Sequence, residues 1–83
     1  MLQPRLKTVS PLDGYRLLLE YETGEARVFD VAPYISGPWY RDLADARYFA
    51  TVHVLPGGVG IEWENGQDIA PHELYDGSVP ANS

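Results

Sequence analysis

The side chains that could do chemistry are few and scattered. His53 and His72 are the only histidines, and with Glu62 and Asp68 they make the one nitrogen-and-carboxylate set that a metal ion could use. Their spacing argues against it. Metal-binding histidine pairs sit close together on one element, whereas His53 falls in a strand pattern and His72 on a short helical turn after Pro71. The expectation is a solvated cross-strand His53–Glu62 pair and a surface His72. Nucleophilic hydrolysis needs a hydroxyl beside a base that a third group orients. Ser10, Ser36, Ser78 and Ser83 do not stand in a Gly-x-Ser-x-Gly string. Glu62 and Glu64 share a strand face, which points to solvation rather than acid–base work. Gly57-Gly58-Val59-Gly60 lies between two strands and opens no helix, so it lacks the setting in which glycines cradle phosphate. No catalytic residue, cofactor site or metal site is assigned, and the chain reads as a non-enzyme.

Composition narrows the field further. The chain has 83 residues, enough for one domain. Hydrophobic residues make up 45% and charged residues 22%, too apolar a mixture for a disordered chain. The absence of cysteine removes disulfides, thiolate metal sites and thiol catalysis. Twelve acidic residues against six basic ones give a net charge of -6. That balance argues against nucleic acid as a direct partner, because phosphate binding draws its affinity from clustered Lys and Arg. Arg5, Lys7, Arg16, Arg27, Arg41 and Arg47 are spread along the chain. No apolar run approaches the ~20 residues of a membrane span. Met1-Leu2-Gln3-Pro4-Arg5 lacks the apolar stretch of a signal peptide, so a cytoplasmic protein is expected.

The elements follow from periodicity and turn residues. Leu6 to Val9 is a short strand pattern, closed by Pro11, Asp13 and Gly14. Tyr15 to Glu22 alternates with Tyr15, Leu17, Leu19 and Tyr21 on one face. Thr23-Gly24 fits a two-residue hairpin loop before a return strand over Glu25 to Asp30. That register sets Glu20 against Arg27, Leu19 against Val28 and Leu18 against Phe29, and leaves the hairpin base apolar on both faces. Short helical pieces come next: a turn around Val31 to Ile35, then Pro38 to Leu43 with Trp39 and Leu43 on one side at i,i+4, then Ala46 to Ala50 capped by Asp45. A second hairpin around Gly57-Gly58 pairs Val54 with Ile61, His53 with Glu62 and Val52 with Trp63. Asn65-Gly66 marks a turn, and Pro71 to Tyr75 one helical turn stopped at Gly77. The class is α+β: a small antiparallel sheet of about four to five strands, built from two hairpins, with short helical crossings packed on one face. The domain is expected over residues 1–76, with 77–83 a flexible tail. The expected core is Val9, Leu17, Leu19, Val28, Phe29, Val31, Ile35, Leu43, Phe49, Val52, Val54, Ile61, Trp63, Ile69 and Leu74.

The string Ile61-Glu62-Trp63-Glu64-Asn65-Gly66-Gln67-Asp68-Ile69-Ala70-Pro71-His72-Glu73-Leu74-Tyr75 resembles the signature of a small bacterial family called domain of unknown function 2442. That family typically ends in Trp-x-Asn-Gly-x-Asp-Ile-Ala-Pro-x-x-Leu-Tyr. Tyr15 to Asp30 is similar to its first hairpin, with a Gly-Glu turn at Gly24-Glu25 and a Phe-Asp ending at Phe29-Asp30. The likeness runs from about Leu6 to Asp76. The sequence departs where relatives often carry Pro in place of Glu64 and an acidic residue in place of His72. The resemblance implies an α+β domain without established chemistry. Relatives stand alone or precede a helix-turn-helix, and often adjoin another small protein as toxin–antitoxin pairs do.

Two residue groups remain to be placed. Trp63, Asn65, Gly66, Asp68, Pro71, Leu74 and Tyr75 carry the family motif, and each has a mechanical use: a core ring, a turn, a carboxylate bonded to backbone ahead of the last helical turn, a helix start. Tyr34, Trp39, Tyr40 and Tyr48 crowd the helical crossing, more aromatic surface than so small a core needs. They are candidate partner-binding residues, and a plain covering of the sheet stays open beside that. The expected function is a non-catalytic protein-binding module, an acidic antitoxin-like partner of a small, basic neighbouring protein. The alternative is a small-molecule-sensing regulatory domain acting through another chain, and a small hydrolytic enzyme is the weaker one.

Overall fold

The computed structural model describes residues 3–81. Three strands open the chain: β1 (Leu6–Leu12), β2 (Arg16–Tyr21) and β3 (Ala26–Asp30). They form an antiparallel meander. Helical pieces follow as α1 (Ala32–Ile35), a 3-10 helix (Pro38–Ala44) and α2 (Ala46–Phe49). Next come β4 (His53–Val54), a 3-10 turn (Pro56–Gly58), β5 (Ile61–Glu62) and β6 (Asp68–Ile69). The order ends with α3 (Pro71–Gly77) and β7 (Val79–Pro80). The class is α+β. Its strands divide between a four-stranded sheet in the order β1-β2-β3-β7 and a three-stranded sheet in the order β4-β5-β6.

The first hairpin corrects the expected register by one residue. Leu17 faces Phe29, Leu18 faces Val28, Leu19 faces Arg27 and Glu20 faces Ala26. The Tyr21 N–H bonds the Glu25 carbonyl at 2.9 Å, so the loop is Glu22-Thr23-Gly24 rather than Thr23-Gly24. Gly24 takes φ +91°, the left-handed residue that closes a three-residue loop. The slip moves Phe29 onto the face of Leu17 and Leu19, so one face gathers the large apolar groups and the base is not apolar on both sides. Leu18 and Val28 pair on the outer face and stay half-buried. Glu20 does not meet Arg27 but accepts a hydrogen bond from the Thr8 hydroxyl at 3.0 Å.

Two further details differ from simple alternation. Between Leu6 and Thr8 the pairing skips, so Lys7 is bulged and both Leu6 and Val9 face the core side. Tyr15 is not the first strand residue. It sits in the β1–β2 turn at φ +59°, with its ring edge-on to Phe49 at 5.4 Å and its hydroxyl donating to the Ala44 carbonyl. A left-handed non-glycine residue costs about 1–2 kcal/mol, and these contacts offset it.

The second hairpin keeps its expected register at His53 with Glu62 and Val54 with Ile61, but its strands stop there, and the expected Val52–Trp63 pair is not part of the ladder. One core joins both sheets: Leu17, Leu19, Phe29 and Leu6 from the first, Ile61, Trp63 and Ile69 from the second, and Leu43, Phe49 and Leu74 from the helices. Leu6 and Tyr21 join the core although the expected core left them out; of the residues expected there, Val9, Ile35, Val52 and Val54 are half-buried against it, and Val28 is half-buried on the outer face. The segment 77–83, expected to be loose, is held as far as Ala81. β7 pairs with β3 through Arg27–Pro80 and Val28–Val79, and Ser78 is buried. Residues 82–83 lie outside the described residues.

Candidate functional site

The helical crossing is positioned by its backbone type. Pro38 starts the segment with a fixed φ, and the chain continues as a 3-10 helix rather than an α-helix. In a 3-10 helix the side chains at i and i+3 eclipse. Tyr40 and Leu43 therefore share the inner side, and Trp39 and Asp42 the outer one. The expected Trp39–Leu43 face does not form. Leu43 is fully buried, while Trp39 is 56% exposed.

The three tyrosines of the crossing turn inward and bond the motif segment. The Tyr48 hydroxyl donates to Gln67 Oε1 at 2.6 Å and accepts from the Asn65 N–H at 2.7 Å. The Tyr40 hydroxyl donates to the Asp68 carbonyl at 3.1 Å, and the Tyr34 hydroxyl to Glu73 Oε2. Tyr34 also sits between Phe29 and Tyr40, tilted against the first ring and edge-on to the second, with ring centroids 5.6 Å away on each side. Burial and the Glu73 carboxylate push the Tyr34 phenol up to about 12. Burial, then the charges of Asp68 and Glu73, raise that of Tyr40. All three are partly buried. Trp39 alone of the four points away, although its carbonyl accepts from Gln67 Nε2 at 3.1 Å.

The motif residues occupy mechanical positions. Trp63 is fully buried, donates from Nε1 to the Phe49 carbonyl at 2.9 Å and packs on the Phe49 ring. The Trp63 carbonyl and N–H close the turn on Gly66 and Gln67. Gly66 takes φ +95°, which the Asn65-Gly66 turn requires. Pro71 opens α3 and Leu74 is buried. The Asp68 carboxylate, expected to bond backbone ahead of that helix, does not do so among the described residues: Ala70 occupies the N-cap without a side-chain bond, and Asp68 contributes its carbonyl to Tyr40 instead.

Tyr75 belongs to a second cluster at the other end of α3. Its ring lies 4.6 Å under the Arg27 guanidinium and edge-on to Tyr21, and its hydroxyl donates to Glu25 Oε1 at 2.7 Å. Arg27 pairs with Glu25 at 2.7 Å and donates to the Ser78 hydroxyl and carbonyl. The Tyr75 hydrogen bond, then Arg27, hold the Glu25 carboxyl below its ordinary range. This clasp ties β7 to β3 through residues 51 apart in sequence. Neither it nor buried Gln67 was marked by any local pattern.

A family model described as Protein of unknown function (DUF2442) matches residues 6–80. The chain belongs to that family. No curated protein and no solved structure matches it. In this DUF2442 chain, then, the motif turn and the crossing tyrosines form one bonded unit, and Trp39 is the aromatic side chain that unit leaves outside.

The remaining polar candidates do not converge. His53 and Glu62 form the expected exposed cross-strand pair, 3.4 Å apart, and His72 is exposed. Among the described residues no three His, Asp or Glu side chains gather as a metal-ligand set, and no helix is long and apolar enough to cross a membrane. Surface hollows lie on two sides of α2. One, of about 360 Å³, lies between the β1–β2 turn and α2 against Leu12, Tyr15 and Phe49. The other, of about 390 Å³, is lined by Arg41, Asp42, Asp45, Tyr48 and Asn65. It opens one 3-10 turn beyond Trp39.

Proposed function

We infer that the DUF2442 chain is a non-catalytic protein-binding module of the bacterial cytoplasm, the acidic, antitoxin-like member of a pair with a small basic protein. The observation that carries this is Trp39. Its backbone is fixed by Gln67, its indole is more than half exposed, and the next residue on the same side is a carboxylate. Trp is enriched at interface centres because it supplies a large contact area with few rotors. A net charge of -6 would steer a basic partner towards it and repel nucleic acid.

The experiment is co-expression of the tagged chain with the product of its adjacent gene, followed by size-exclusion chromatography. A stoichiometric complex that Trp39→Ala abolishes, in a variant with unchanged circular dichroism, is the expected result. No complex with that product, or one indifferent to Trp39→Ala, overturns the assignment.

A further inference from the structure

The protein-binding reading above rests on Trp39, and the surface around it carries a more specific partner chemistry. We propose that this face recognises an arginine side chain of the partner, its guanidinium stacked on the Trp39 indole and its N–H edge directed at Asp42 and Asp45.

The 3-10 helix sets the spacing. With ~2.0 Å rise per residue, Asp42 stands about 6 Å beyond Trp39 along the same side. Asp45 follows at the helix end, where its Oδ1 accepts from the Arg47 N–H at 2.9 Å. Asp42 Oδ2 receives only a long contact, 3.4 Å, from Asn65 Nδ2. Neither carboxylate is ion-paired among the described residues. Between them lies the hollow of about 390 Å³, ample for a guanidinium. Trp39 does not line that hollow but stands one 3-10 turn before Asp42, which does, so an exposed indole lies about 6 Å along the helix from a carboxylate with an unfilled acceptor site, a span that one arginine side chain can bridge.

Charge complementarity selects the occupant. An anion would meet two carboxylates. A purely apolar group would cover Trp39 but strip water from the acids without replacing it. Lysine could reach the acids, but its ammonium is compact and strongly hydrated. Arginine alone presents a flat face to an indole and paired N–H groups to carboxylates at once. Arg41 lines the same hollow and forms no ion pair among the described residues, so it repels the incoming cation and keeps the affinity low.

The test uses end-blocked tri-arginine, tri-lysine and tri-citrulline peptides titrated into the full chain at low salt. Binding is followed at the indole N–H resonance of Trp39, assigned with a Trp39→Phe variant. Tri-arginine should shift that resonance saturably and bind about two- to fivefold tighter than tri-lysine, the size of an exposed cation–π contact. Tri-citrulline, isosteric but neutral, should leave it in place. Asp42→Asn and Asp45→Asn should each weaken binding, and Arg41→Gln should tighten it, a gain that no structural damage would mimic. Equal binding of arginine and lysine peptides overturns the proposal. So do shifts spread away from Trp39, Asp42 and Asn65, or indifference to the charge variants. The two ideas fail separately. A complex with the adjacent gene product that survives both Asp variants sinks the arginine inference alone, and an arginine-selective face on a chain that captures no such product sinks the antitoxin-like pairing alone.

Discussion

The chain has two tryptophans, and they have opposite fates. Trp63 is fully buried, with its indole N–H bonded to the Phe49 carbonyl and its backbone closing the motif turn. Trp39 is 56% exposed, and among the described residues its carbonyl is bonded to a side chain while its indole is not. Both come from segments whose apolar spacing points inward. What separates them is helix type. An α-helical crossing would put Trp39 beside Leu43 in the core. The 3-10 phase gives that place to Tyr40 and turns Trp39 towards Asp42. One indole is thus part of what the fold is made of, while the other is presented by the fold. That contrast sets the exposed crossing apart from the buried family motif, and it can be broken by substitution.

The largest effect should come from Trp63→Ala. Loss of a fully buried ring should cost about 3–5 kcal/mol, which for so small a domain means unfolding. Urea denaturation followed by circular dichroism measures it. A folded variant with a near-native midpoint would place Trp63 among the presented residues and erase the contrast. Tyr48→Phe comes next. It removes the donor to Gln67, whose side chain is 2% exposed, and the acceptor of the Asn65 N–H. A buried polar group left without its partner costs about 1–3 kcal/mol, readable as a shift in the same midpoint. No shift would mean that the crossing is not stitched to the motif through this hydroxyl.

These stitches explain what sequence could and could not tell. The second hairpin was legible, because Gly57-Gly58 left one register in which Val54 met Ile61 and His53 met Glu62. The first was ambiguous, because Glu22-Thr23-Gly24 serves as a three-residue loop as readily as Thr23-Gly24 serves as a two-residue one. Only the requirement that Phe29 join Leu17 decides between them. Pro38 starts either kind of helix, so the side on which Trp39 lies was not written locally. The hydroxyl partners were less visible still. Tyr40 and Tyr15 bond backbone carbonyls of Asp68 and Ala44, which no residue type announces. Arg27 and Ser78 are brought together by sheet topology alone. The motif residues, by contrast, could be placed as mechanical from turn and helix-start chemistry, except that Asp68 acts through its carbonyl.

Alkaline pH gives a graded test of the interior tyrosines. Burial pushes Tyr21 and Tyr34 up to about 12. A phenol whose folded value lies above its unfolded one stabilises the fold fully below pH ~10 and loses that contribution as pH rises towards the folded value. Urea midpoints should therefore fall progressively above pH ~10, and Tyr34→Phe should flatten the decline. On the acid side, the lowered Glu25 carboxyl works in reverse. Its contribution is present above the ordinary carboxylate range and fades as pH falls through the depressed folded value, a loss that Glu25→Gln should remove. Midpoints independent of pH at both extremes would mean that the two tyrosines are open to water and that Glu25 does not hold its bonds to Tyr75 and Arg27.

The smallest stability change belongs to Trp39→Ala, and its smallness carries the comparison. The indole makes no hydrogen bond and no ring contact among the described residues, and the neighbouring Tyr40 and Leu43 hold the crossing in place without it. Substitutions at such positions stay within about 0.5 kcal/mol. Fluorescence sharpens the measurement, because only two indoles report. Acrylamide should quench native emission in two populations, one accessible and one protected, and Trp39→Ala should delete the accessible one while the urea midpoint holds. A midpoint that drops as far as that of Tyr48→Phe would show that Trp39 supports the fold after all. Partner loss in that variant would then reflect damage rather than a missing contact. If the midpoint holds and partner binding goes, the two indoles divide as their burial does, one for folding and one for recognition.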